Sequence, residues 1–113
     1  GRVIRNSLGQ VEILWRTNRV KEAVALGKSL LKDTIEISGE KHANTSAALM
    51  YLAPALRANG QHREAIAAVR RARGISLALF GPNAGTIKRA DAFLKEACAT
   101  HPEACAQEVA EKE

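Results

Sequence analysis

Residues 49–72 read LMYLAPALRANGQHREAIAAVRRA, and the fold follows from this stretch. Leu49, Leu52, Ala53 and Leu56 recur at i, i+3, i+4 and i+7, the spacing that lines up side chains on one helical face. Asn59-Gly60 then stops the helix, because glycine adopts the left-handed conformation past a helix end without the clash a Cβ makes. A second stripe follows at Ala65, Val69, Ala72 and Leu79. Gly81-Pro82 ends it, since proline has no N–H with which to continue the ladder. Two helices with so short a link between them form a helical hairpin.

The same pattern stands one period earlier. Glu22-Ala23 precedes Glu64-Ala65 by 42 residues, and Gly39 precedes Gly81 by 42. Between these anchors Ala23, Leu26, Leu30 and Ile37 correspond to Ala65, Ala68, Ala72 and Leu79 in the same register. Thr45 recurs as Thr86 after 41 residues, so the second loop is one residue shorter. With that shift Leu49, Leu52, Ala53 and Leu56 map onto Ala90, Phe93, Leu94 and Ala97. A fixed period of this length is the mark of a repeat architecture. Two and a half to three copies are expected, with hairpins at about 4–38, 44–80 and 86–112. Their helices fall near 6–17, 20–37, 44–58, 62–79, 86–99 and 102–112. The first copy is the weakest: Asn18 replaces Gly60, and Ser7 and Gln10 stand where the second copy has leucines.

Composition agrees with closely packed helices. The chain has 113 residues, enough for one domain, which is taken as 1–113. The hydrophobic set is 46%, but aromatics are only 4% (Trp15, Tyr51, Phe80 and Phe93), and alanine supplies much of the rest. Alanine is the best helix former and is depleted in strands, which argues against a β-sandwich. No run of 18 apolar residues exists, so no membrane span is expected. The start, Gly1 to Asn6, has neither an initiator Met nor a signal-peptide core, and the chain reads as a fragment of a longer protein. The net charge of +5 is unevenly spread. Arg57, Arg63, Arg70, Arg71, Arg73, Lys88 and Arg89 face a single acid, Glu64, whereas Glu96, Glu103, Glu108, Glu111 and Glu113 face only Lys112. The molecule is dipolar rather than uniformly cationic.

At these residues the chain resembles the tetratricopeptide repeat (TPR) family. Leu49, Leu52, Ala53, Leu56, Gly60, Ala65, Val69 and Ala72 hold that family's pattern positions in order. The common period is about 34, and the longer one here adds roughly two helical turns. With Gly39-Glu40-Lys41-His42-Ala43-Asn44-Thr45 in the loop, it looks like the kinesin-light-chain-type subfamily, whose loop reads G-x-x-H-P-x-T. Ala43 in place of the proline, a second loop without the histidine, and Pro54 inside a helix depart from that pattern.

The resemblance implies an all-α, right-handed superhelical stack of antiparallel hairpins. The first helix of each would line a concave groove that receives a peptide segment or helix of a partner. Carried over copy by copy, the groove positions are Arg5, Leu8, Glu12, Trp15 and Arg16; then Ala47, Met50, Pro54, Arg57 and Ala58; then Lys88, Asp91, Lys95, Cys98 and Ala99. Five cations against two acids, with Trp15 and Met50 as anchors, imply an acidic peptide carrying an apolar side chain. The paired Lys and Asn of chaperone-binding relatives are absent, so a chaperone partner is not expected. Two other classes stay open: a regulatory or sensor segment of a larger enzyme or transcription factor, and a self-associating module, for instance a homodimer.

The remaining constellations carry less. Pro54 costs about 3 kcal/mol in a regular helix and is expected to kink it. Cys98 and Cys105 flank the Thr100-His101-Pro102 turn and admit three readings: small buried apolar side chains, a disulfide across the hairpin, or a metal site with His101. A disulfide would place the protein outside the cytoplasm, which is otherwise the default compartment. His42 is expected to organise its loop, as the subfamily motif implies. Arg70, Arg71 and Arg73 fan around a helix and lack interleaved aromatics, so they read as a solvated outer face and nucleic acid is not an expected partner. No phosphate loop, HExxH, nucleophile elbow or carboxylate pair occurs. Neither an enzyme nor a cofactor or metal is expected.

Overall fold

The computed structural model describes residues 2–105, with side chains from Ser7 onward, and those residues are all-helical. The helices are α1 (Arg2–Arg16), α2 (Val20–Ser38), α3 (Ala43–Ala58), α4 (His62–Phe80) and α5 (Gly85–Thr100). Residues 102–105 form the opening turn of a further helix. Ends fall within one residue of expectation, except that α1 opens at 2 instead of 6. The expected last helix beyond 105 and the side chain of Arg5 lie outside the described residues.

The 42-residue period is written into the backbone. Asn18 and Gly60 both lie in the left-handed region, at φ 72° and 81°. Each closes the same double hydrogen-bond motif. Arg19 N donates to Leu14 O at 2.8 Å as Gln61 N does to Leu56 O at 2.8 Å, while Asn18 N reaches Trp15 O and Gly60 N reaches Arg57 O. This is the Schellman closure of a helix C-terminus. At the far end of each hairpin, Gly39 (φ 93°, ψ 166°) and Gly81 (φ 85°, ψ 179°) occupy a conformation essentially reserved for glycine. The chain therefore turns identically at equivalent places.

Consecutive helices pack against one another in order, and α1 also packs on α3. The core runs from Leu8 and Val11 through Ala23 and Val24 to Leu49, Leu52, Ala53 and Leu56, and then to Ala65, Val69 and Ala72. Alanine at 23, 53 and 65 is fully enclosed, which lets helix axes approach toward the short end of about 8–10 Å. A smaller cluster of Ile66, Ala97 and Ala104 docks the last turn onto α4.

Three expectations about the stripes need correction. Ile37 and Leu79 match in sequence but are 70% and 47% exposed, each in the final turn of a second helix and past its last buried residue. The buried stripe ends one turn earlier at Thr34 and Ser76, themselves 42 residues apart. Leu8, carried over as a groove residue, is 4% exposed and belongs to the core. In α1 that core face is Leu8 and Val11, while Ser7 is only half-buried and Gln10 is exposed.

Helix α3 continues unbroken through Pro54, with His42 as its N-cap: His42 Nδ1 accepts from Asn44 N at 3.0 Å. Thr45 Oγ1 donates to Gly39 O at 2.6 Å, so the loop is bonded across its own width. The loop before α5, residues 81–84, is as long as the loop before α3, residues 39–42, so the expected one-residue shortening is not found there, and Ala84 caps α5 without a side-chain bond.

Candidate partner-binding surface

The groove residues of α1 and α3 each set a guanidinium beside an aromatic ring. Trp15 is half-buried against the core, Arg16 lies 5.3 Å from its ring centroid, and Arg16 Nε pairs with Glu12 at 3.3 Å. One hairpin later Arg57 sits 4.5 Å over the ring of Phe93 on α5 and pairs with Glu96 at 3.9 Å. Arg57 thus bridges the first helices of the second and third hairpins. Its stem is half-buried, while its charge stays at the surface. Met50 is half-buried and packs on the same core; Lys88 and Lys95 are exposed.

Two further carried-over positions, besides the paired Glu12, Arg16 and Arg57, are already engaged. Asp91 accepts from Arg73 Nε at 2.7 Å, which ties α5 to α4. Cys98 is bonded to Cys105 in a disulfide with a Cα–Cα distance of 5.3 Å, so neither sulfur is free to ligate a metal.

The three arginines of α4 do not form a free outer face. They diverge by about 100° per residue, as helical geometry requires, and each finds a different neighbour. Arg70 reaches Cys105, Arg71 lies 3.6 Å from Glu40 in the loop before α3, and Arg73 holds Asp91. No protein-family model matches the chain, and no curated protein sequence does.

Sequence reasoning missed two features. Between α2 and α4 lies an apolar hollow of about 310 Å³, floored by Leu49, Leu52 and Leu56 and rimmed by Lys28, Glu64 and Arg71. Its size follows from Ala67 and Ala68 on α4, which are too small to fill it. The missed signal was Leu26 becoming Ala68 one period on. The second feature is a buried pair, Ser46 and Ser76, with Oγ atoms 2.8 Å apart. Its signal was a hydroxyl residue at 34 and again at 76 within an otherwise apolar stripe.

At the α1–α2 corner, the hydrogen bond from Arg19 Nε (3.0 Å) holds the exposed Glu22 carboxyl below its ordinary range. Among the described residues no helix is long and apolar enough to cross a membrane.

Proposed function

We propose that this chain is a TPR-like helical-repeat module, a right-handed stack of hairpins that binds a partner protein through the surface of α1, α3 and α5. The repeated turn geometry and the in-order packing of successive helices support the stack. The partner segment is an acidic peptide with one large apolar side chain. The observation that carries this reading is Arg57, whose cation is fixed over Phe93 at 4.5 Å between two first helices. A guanidinium held on an aromatic face has lost much of its freedom before binding, which lowers the entropic cost of meeting a carboxylate. Trp15 with Arg16 repeats the combination on α1, and Lys88 and Lys95 extend the positive surface along α5.

The test is a polarisation titration with a labelled peptide of glutamates flanking a single phenylalanine. Arg57→Glu should weaken binding by about tenfold or more, and Arg71→Glu by no more than about twofold, since convex charges are screened within about 8 Å at physiological salt. Helical circular dichroism checks that each variant is folded. Equal losses in the two variants, or no saturable binding to the folded wild type, overturn the reading. A nucleic-acid binder would respond to both arginines and lose affinity steeply with salt.

Self-association is the second reading. It draws on Phe80 and Ile37, exposed at 61% and 70% near the ends of α4 and α2. Sedimentation at two concentrations, with and without Phe80→Ser, separates it from a monomeric binder.

A further inference from the structure

The repeat places a cation of one second helix against the first turn of the next. Lys28 Nζ of α2 lies 3.4 Å from Glu64 Oε2 in the first turn of α4. One period on, Lys28 becomes Arg70, and the next helix opens after His101 as α4 opens after Gln61. The contact recurs: Arg70 Nη2 lies 3.0 Å from Cys105 Sγ, and Arg70 Nη1 and Nη2 each lie 3.4 Å from Cys105 O. A sulfur therefore faces the cation whose counterpart in the preceding copy faces a carboxylate. No carboxylate among the described residues pairs with Arg70. An ionised Cys105 would complete the cation–anion pair that the architecture builds at this position.

We propose that Cys98–Cys105 is a thiol–disulfide exchange site whose leaving and nucleophilic sulfur is Cys105, held as a thiolate by Arg70, and whose co-substrate is a dithiol reductant. The thiolate of the reductant attacks Cys98 Sγ and forms a mixed disulfide there. The Sγ–Sγ bond breaks, and its electron pair leaves on Cys105 Sγ, where the guanidinium receives the charge. The second thiolate of the reductant then attacks the reductant's own sulfur in the mixed disulfide. That step expels Cys98 as a thiolate, which takes up a proton. The protein disulfide gains two electrons, the dithiol becomes a disulfide, and the two protons of the dithiol pass to the protein thiols or to water. A stabilised leaving thiolate speeds the first step, and its position dictates that Cys98 is the sulfur attacked. Both cysteines are partly exposed, so an external thiol can reach them.

The bond also governs how the last hairpin is held. Without it, the first turn of the next helix stays on α4 through Arg70, the stacked rings of His62 and His101 (centroids 3.5 Å apart) and the small Ile66, Ala97 and Ala104 cluster. Exchange chemistry at this place therefore acts on the docking of the terminal hairpin, independently of any groove ligand.

The experiment reduces the full chain with dithiothreitol, removes the reductant, and follows iodoacetamide alkylation of Cys98 and Cys105 separately by peptide mass across pH 5.5 to 9. Cys105 should alkylate about tenfold faster than Cys98 near pH 6.5, the ratio given by one unit of difference in thiol acidity. Arg70→Met should erase that difference, and Arg70→Lys should keep most of it. A purely structural arginine would leave the pH profiles unmoved. The proposal is overturned if the two wild-type thiols share one pH profile, or if folded Arg70→Met leaves the Cys105 profile unchanged. Should Arg70→Met fail to fold, the wild-type comparison and Arg70→Lys still decide.

Discussion

Asn18 and Gly60 stand 42 residues apart and hold the same left-handed backbone, one with a side chain and one without. Nothing lies within 4 Å of a Cβ built on Gly60, so the glycine is there for its φ and not for space. Gly60→Ala should therefore cost about 1 kcal/mol, and Asn18→Ala a similar amount, since alanine lacks asparagine's tolerance of that region. Gly74 is the control: it lies inside α4 with open space around its Cβ position, and Gly74→Ala should stabilise by about 0.5–1 kcal/mol. Urea melts of the three variants check this. A loss at Gly74 or a gain at Gly60 would contradict the assignment of roles.

Ala65 is 1% exposed at the heart of the α3–α4 hairpin, whereas Arg71 is exposed and holds only the surface carboxylate of Glu40. Ala65→Leu should overpack the hairpin and cost about 1–3 kcal/mol. Arg71→Ala should stay within about 0.5 kcal/mol, because exposed ion pairs are worth little. Thermal melts of equal midpoint would mean that Ala65 does not set the helix spacing.

Much of this architecture was legible because its signals are local. The stripe Leu49, Leu52, Ala53 and Leu56 and the stop at Gly60 specify a helix and its end within a dozen residues, and the structure ends α3 at Ala58. The offset between Asn18 and Gly60 could be read from sequence because a turn depends on backbone conformation, which residue type constrains directly. Ile37 and Leu79 misled for the opposite reason: periodicity shows which face a residue lies on, but not whether a neighbour reaches that far along the helix. The partner of Asp91 was out of reach as well. Arg73 lies 18 residues before Asp91, and that contact depends on how the hairpins dock. Spacing left three readings open for the cysteines, and only the three-dimensional arrangement brings Arg70, 35 residues away, onto Cys105.

The Arg19–Glu22 bond gives a pH prediction with a definite sign. Glu22 is held below its ordinary range, chiefly by the hydrogen bond from Arg19. A carboxylate depressed in the folded state adds stability above its unfolded pKa, about 4.3, and loses it as pH falls through the lower folded value. Arg19 is shifted upward by the same bond, and its share is lost only above the arginine range. Both side chains are solvent-exposed, so the effect should shrink as salt is added. An NMR titration of the Glu22 side chain should show a low midpoint that Arg19→Ala returns to the ordinary range. A midpoint that ignores Arg19→Ala would rule the bond out as the cause.

Ser46 and Ser76 make the sharpest stability prediction, because both hydroxyls are buried and each depends on the other. Ser46 Oγ also donates to Ala72 O at 3.0 Å. In the preceding copy the equivalent carbonyl, Leu30 O, accepts instead from Thr34 of its own helix at 2.7 Å. The second copy thus replaces a bond within one helix by a bond between α3 and α4. Ser46→Ala removes that link and strands the Ser76 hydroxyl, which should cost about 1–3 kcal/mol. Ser76→Ala should cost less, since Ser46 keeps the Ala72 carbonyl. With both serines replaced no polar group is left stranded, so the double variant should be more stable than the sum of the two losses predicts, by about 0.5–1.5 kcal/mol. A double-mutant cycle in urea measures this coupling directly, and strict additivity would show that the two hydroxyls do not share a bond in solution.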